Sequence, residues 1–128
     1  MPRFPLEEVS SGSGDGGLWV TLGFISDLEH NDVLHIVGGD ADAARDHDDK
    51  RLYLERFDQS YSCQHGGESV LVRRASIEVQ LSEEAREELE FDDRSVLFDV
   101  PQDLDGYDDA LTIFGEMSRA GSPVRVEP

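Results

Sequence analysis

Lysine is almost absent from this chain, cysteine occurs once, and there is no long apolar run. Lys and Arg together number 11 against 29 Asp and Glu, so the formal net charge is −18. Nucleic-acid binding draws much of its affinity from Lys and Arg on phosphates, and an anionic membrane leaflet attracts the same side chains. The balance of charge therefore argues against both. No apolar stretch approaches the ~20 residues of a membrane span. The first 17 residues contain nothing like the apolar core of a secretory signal. With Cys63 alone an internal disulfide is excluded, which fits a reducing cytoplasm. Lys50 is the only lysine among the basic residues, and an acid-rich, Lys-poor surface also suits plain solubility or adaptation to salt.

What is present reads as one domain. At 128 residues the length matches a single unit. Residues 1–17 include the Gly/Ser-rich run SSGSGDGG and read as a flexible lead-in. Strand patterns follow at 18–25 (LWVTLGFI), 33–38 (VLHIVG) and 51–57 (RLYLERF). In the last of these Tyr53, Glu55 and Phe57 face one way and Leu52, Leu54 and Arg56 the other. Residues 68–81 have the outline of a β-hairpin with Ile77, Val79 and Leu81 inward.

Two helices are expected. Ser82 suits the N-cap of a short one over 82–90, with Ala85 and Leu89 buried. The longer one spans about 103–119, capped by Asp103 or Asp105. Its stripe is Leu104, Tyr107, Leu111, Phe114 and Ser118, and Gly121 ends it. Between them lies a strand over 95–100, stopped by Pro101. The last residues, 121–128, read as a short tail. The expected fold is α+β: a single domain over 18–120, with a mainly antiparallel sheet of about six strands and both helices of the C-terminal half packed on one face.

Chemistry-bearing constellations are few. Asp40, Asp42, Asp46, Asp48 and Asp49 crowd residues 39–50 and offer hard oxygens of the kind Ca²⁺ and Mg²⁺ take. The spacing fails an EF-hand loop at Ala44, Arg45 and Arg51, so a solvated or partner-facing loop is the better reading. His30, His35, His47 and His65 form no zinc pattern. Cys63 and His65 stand two apart without the surroundings of a cysteine hydrolase. No phosphate-binding or serine-elbow motif occurs. No metal, cofactor or catalytic residue is expected, and the chain is read as a binding protein and not as an enzyme.

The run Tyr53-Leu54-Glu55-Arg56-Phe57-Asp58-Gln59-Ser60-Tyr61-Ser62, followed by Gly66-Gly67-Glu68-Ser69-Val70, resembles the immunity protein 10 family of bacterial polymorphic-toxin systems. The similarity covers about residues 51–118. It departs at Phe57, where a polar or acidic residue would stand, and in the Asp-rich 39–50 insert. The resemblance implies a cytoplasmic antitoxin that neutralises a cognate toxin by binding it. Asp58, Gln59, Gly66 and Gly67 carry the motif, with a structural role in shaping the loop as the plainer alternative. An acidic surface suits a toxin with a basic site, and the candidate contacts are Asp40, Asp42, Asp46, Asp48, Asp49, Tyr61 and Glu68. Two other readings stand beside it: a cation- or ligand-binding module using the Asp-rich loop, and a homodimer formed through an open sheet edge.

Overall fold

The computed structural model describes residues 1–14, 17–26, 31–39, 52–56 and 61–127. Its eight strands are β1 (Arg3–Gly14), β2 (Gly17–Ile25), β3 (Asn31–Gly39), β4 (Leu52–Arg56), β5 (Ser62–Arg73), β6 (Ser76–Leu81), β7 (Ser95–Asp99) and β8 (Val124–Glu127). Helix α1 (Glu83–Glu88) separates β6 from β7, and α2 (Tyr107–Arg119) separates β7 from β8.

The expected two-layer α+β arrangement is not what forms. Strands β4-β3-β2-β1-β7-β6-β5 follow one another by hydrogen bonding, and β4 also pairs with β5, so seven strands close into a barrel. Two features bring this about. Strand β1 runs parallel to β7 from Arg3 opposite Leu97 to Pro5 opposite Asp99. Strand β5 is long enough to serve several neighbours. It takes β6 along one edge, while the other edge carries β4 near Cys63–Gly67 and then β8 along Val70–Arg73. A closed ring covers its own apolar face with the opposite wall, so neither helix is needed as a second layer.

The inward side chains alternate as the strand period requires. Val20, Leu22, Leu34, Ile36, Leu54, Val72, Ile77, Val79, Val96 and Phe98 are all completely buried. The β1–β7 seam is held by aromatic packing inside and an ion pair outside. Phe24 lies 5.1 Å from Phe4 and 5.0 Å from Phe98, the latter edge to face. Arg3 donates to both carboxylate oxygens of Asp99 at 2.7 and 2.8 Å, which holds that carboxyl below its usual range.

Residues 1–17 are therefore not a coil throughout: Arg3–Gly14 is a barrel strand. Phe4, Leu6 and Val9 point inward, with a bulge between Leu6 and Glu8 shifting the alternation by one. Serine and glycine are poor strand formers, but Gly12 is needed here. A Cβ at that position would come within 2.8 Å of the Trp19 ring lying across it. The C-terminal tail likewise contains β8, with Val124 buried against the core.

One end of the barrel is closed by a buried ion pair. Arg56 at the end of β4 donates to Asp32 at the start of β3 at 2.8 and 2.9 Å, with side-chain exposures of 3% and 0%. The same guanidinium donates at 3.0 Å to the carbonyls of Leu89 and Glu90, which follow α1, and it lies 4.1 Å above the Phe91 ring. Ser82 caps α1 as expected, accepting from the Ala85 amide. The helix ends in a Schellman pattern, Phe91 amide to Arg86 carbonyl and Glu90 amide to Glu87 carbonyl. Glu90 occupies the left-handed position at φ 56°, where glycine is usual.

Helix α2 packs against β1, β2 and β8. Its buried stripe is Tyr107, Ala110, Phe114 and Met117, turned slightly from the expected one so that Ser118 is exposed. Its N-cap is Gly106 at φ 86°, with no side-chain cap, so neither Asp103 nor Asp105 caps it. The Gly106 Cβ position would lie 2.8 Å from the Val9 carbonyl, so glycine is required there twice over, by backbone angle and by contact.

Two stability measurements follow. Asp32→Ala strands a buried cation and should lose about 3–5 kcal/mol in urea unfolding. Replacing both partners by apolar side chains, Asp32→Leu with Arg56→Met, should cost clearly less than the two single changes added together; strict additivity would contradict the coupling. Glu90→Gly relieves a left-handed residue worth about 1–2 kcal/mol, offset by about 0.5–1 kcal/mol of backbone entropy. A gain of up to about 1 kcal/mol should appear as a higher melting temperature.

Candidate functional site

Of the residues singled out from sequence, Asp40, Asp42, Asp46, Asp48, Asp49, Asp58 and Gln59 lie outside the described residues. The others are dispersed in role. Tyr61 is half-buried and packed on the core, with its carbonyl accepting from the Arg56 amide at 2.8 Å. Glu68 is exposed and pairs with Arg94 at 3.3 Å. Gly66 and Gly67 are buried, and close packing is what requires glycine there. A Cβ at Gly66 would come within 2.6 Å of the Ala85 Cβ, and one at Gly67 within 2.8 Å of the Leu52 Cβ. The Gly-Gly pair thus lets α1 and β4 approach β5. Cys63 is half-buried against the core. Among the described residues no group of His, Cys, Asp and Glu side chains is arranged to hold a metal ion.

Two surfaces take shape instead. The first is an open groove of about 990 Å³ between the β5–β6 turn and the segment leading into α2. Arg74 and Ala75 form one side, and residues 100–109 with Leu111 form the other. Four carboxylates line it, Asp103, Asp105, Asp108 and Asp109. All four residues are exposed, and none forms an ion pair with another described residue. Because Gly106 starts the helix, Asp103 and Asp105 are spared from capping and stay available to solvent. Asp108 and Asp109 lie in the first turn, where the helix dipole favours negative charge.

Tyr107 anchors this groove. Its hydroxyl donates to the Arg73 carbonyl at the β5–β6 turn, which ties the start of α2 to the hairpin. The side chain is buried, and burial pushes its pKa up to about 12.

The second surface is on the outer wall of β2, β3 and β4. Register places Trp19 opposite Val37 and Val37 opposite Tyr53; in the next row Thr21 lies opposite His35 and His35 opposite Glu55. Residues directly opposite in antiparallel pairs share a face, so these six form a two-by-three grid pointing away from the barrel interior. All six are half-buried. The Thr21 hydroxyl and His35 Nδ1 are hydrogen-bonded at 2.6 Å, and the Trp19 and His35 rings lie 5.9 Å apart. The Tyr53 hydroxyl donates to Glu55 Oε1 at 2.7 Å. Partial burial, and then that carboxylate, raise the Tyr53 pKa.

The alternation of LWVTLGFI, VLHIVG and RLYLERF contains this grid, since its outward residues alternate with inward ones that are apolar except for Gly38 and Arg56. What it lacks is register, and without register the three strands do not combine into a surface. Comparison with protein-family models, with curated proteins and with solved structures finds no match for this chain.

Tyr107 gives a pH test. Below pH 10 its hydroxyl is protonated in folded and unfolded chains alike, and its contribution is fully present. As pH rises from 10 through about 12 the unfolded chain ionises first, so stability should fall by about 2–3 kcal/mol. Tyr107→Phe should be less stable by about 1 kcal/mol at pH 8 and should show a flatter alkaline limb in unfolding followed by circular dichroism.

Proposed function

We propose that this chain is a non-enzymatic binding protein that covers a basic site on a protein partner, acting as the immunity component of a bacterial toxin system. The observation that carries the reading is the groove beside α2. Four exposed aspartates line it with one basic side chain, Arg74. Charge of one sign focused in a concave surface accelerates encounter with an oppositely charged partner and disfavours wrong ones. The net charge of −18 supports the same direction of attraction. The resemblance of residues 51–118 to immunity protein 10 supplies the biological setting, a toxin domain held inactive by a bound partner.

A homodimer is less well supported, since its premise was an open sheet edge. In the ring each of the seven strands has a neighbour on both sides, which leaves the four-residue β8 as the open edge among the described strands, and so short an edge is a poor template for strand-to-strand association.

A toxin domain encoded beside this chain should co-purify with it. Raising NaCl from about 50 to 300 mM, across which screening shortens from roughly 14 to 6 Å, should weaken the complex at least about tenfold. The fourfold variant Asp103→Asn, Asp105→Asn, Asp108→Asn and Asp109→Asn keeps the volume and removes the charge. Its association should slow markedly with little change in melting temperature. Retention of full affinity by the fourfold variant would sink the groove as the contact surface.

A further inference from the structure

We propose that the outer grid of β2, β3 and β4 is a second contact surface, and that it receives an arginine-bearing segment of the basic partner. This rests on the reading that the partner is basic and names the side chain that this wall selects. The grid holds the chain's only tryptophan, a tyrosine, an intervening valine and one carboxylate, and no Lys or Arg.

Its rings are already fixed before any partner arrives. Trp19 lies across Gly12, where even a methyl group would collide with it at 2.8 Å. His35 is bonded to Thr21 and sits beside the indole; Tyr53 is bonded to Glu55. Side chains held in this way lose little rotamer freedom on binding, which is how a surface gains affinity without added area.

The chemistry favours guanidinium over ammonium. Adjacent strands are about 4.8 Å apart, so Trp19 and Tyr53 flank Val37 at roughly 10 Å from each other. An extended arginine side chain fits that span. Its methylenes lie over Val37, its planar head stacks on an aromatic face, and Glu55 accepts from its N–H groups. Glu55 keeps lone pairs free for this after accepting one bond from Tyr53. Arginine stacks on aromatic rings and forks onto carboxylates, whereas lysine presents a compact, strongly hydrated charge. Acidic surface elsewhere attracts any cation; this wall joins a carboxylate to two aromatic rings.

The test uses the full chain and two dye-labelled probes, hexa-arginine and hexa-lysine, titrated at low salt by fluorescence anisotropy. Trp19 emission serves as a local reporter. Hexa-arginine should bind about threefold or more tightly than hexa-lysine and should quench Trp19. Trp19→Ala and Tyr53→Ala should abolish the preference while leaving hexa-lysine binding in place. Glu55→Gln keeps the acceptor for Tyr53 and is the variant that bypasses any folding defect; it should weaken hexa-arginine about threefold. Equal binding of both peptides with unchanged Trp19 emission overturns this proposal and leaves the basic-partner reading intact. If neither peptide binds, both are overturned.

Discussion

The guanidinium of Arg56 is the point on which the closed end of the barrel depends. It is taken out of water, and each of its three nitrogens faces a structural element: Asp32 from β3 for Nε and Nη2, and two carbonyls from the end of α1 for Nη1, with Phe91 beneath. A buried charge of this kind adds little stability in itself compared with an apolar replacement. Its value is that few other arrangements satisfy it. Strand β4 must end where it does, β3 must begin beside it, and α1 must end with its last carbonyls turned inward. The left-handed Glu90 is part of that arrangement, since it turns the chain so that its own carbonyl and that of Leu89 reach the same cation.

How much of this was legible depends on the sequence separation of the contacts involved. The hairpin of β5 and β6, the Ser82 cap and the Gly121 termination rest on neighbours in the chain, and their residues announce them. The barrel rests on β1 meeting β7 and β4 meeting β5, and no periodicity reports which strand edge finds which. The first strand was hidden for a related reason. SSGSG carries no strand signal, and its place is secured by the indole of Trp19 and by pairing with β2. The start of α2 went astray because aspartates look like caps. Here a glycine with positive φ takes the position, since the Val9 carbonyl leaves no room for a side chain. The two surfaces were half visible. Their residue types stand out in the sequence, but only the β2–β3–β4 register and the turn into α2 assemble them.

The acidity of the chain separates into distinct parts once the fold is known. Asp32 is structural and buried. Asp99, Glu83 and Glu68 are paired with arginines. The aspartates of the α2 lead-in have neither role, and the glycine cap is what releases them. Glu55 stands apart from both groups, placed among aromatic rings.

The parallel seam between β1 and β7 also has a consequence in time. The Arg3–Asp99 pair joins residues 96 positions apart in the chain, so the ring cannot close on a ribosome until β7 has been made. Until then the β1–β2–β3 meander has an open edge exactly where β7 will later dock. Loop closure over such a span makes folding slow relative to a helical protein of this length, and exposed strand edges at that stage invite association with other nascent chains. A strongly negative chain repels its own copies during that interval, a benefit of the charge that is independent of any partner.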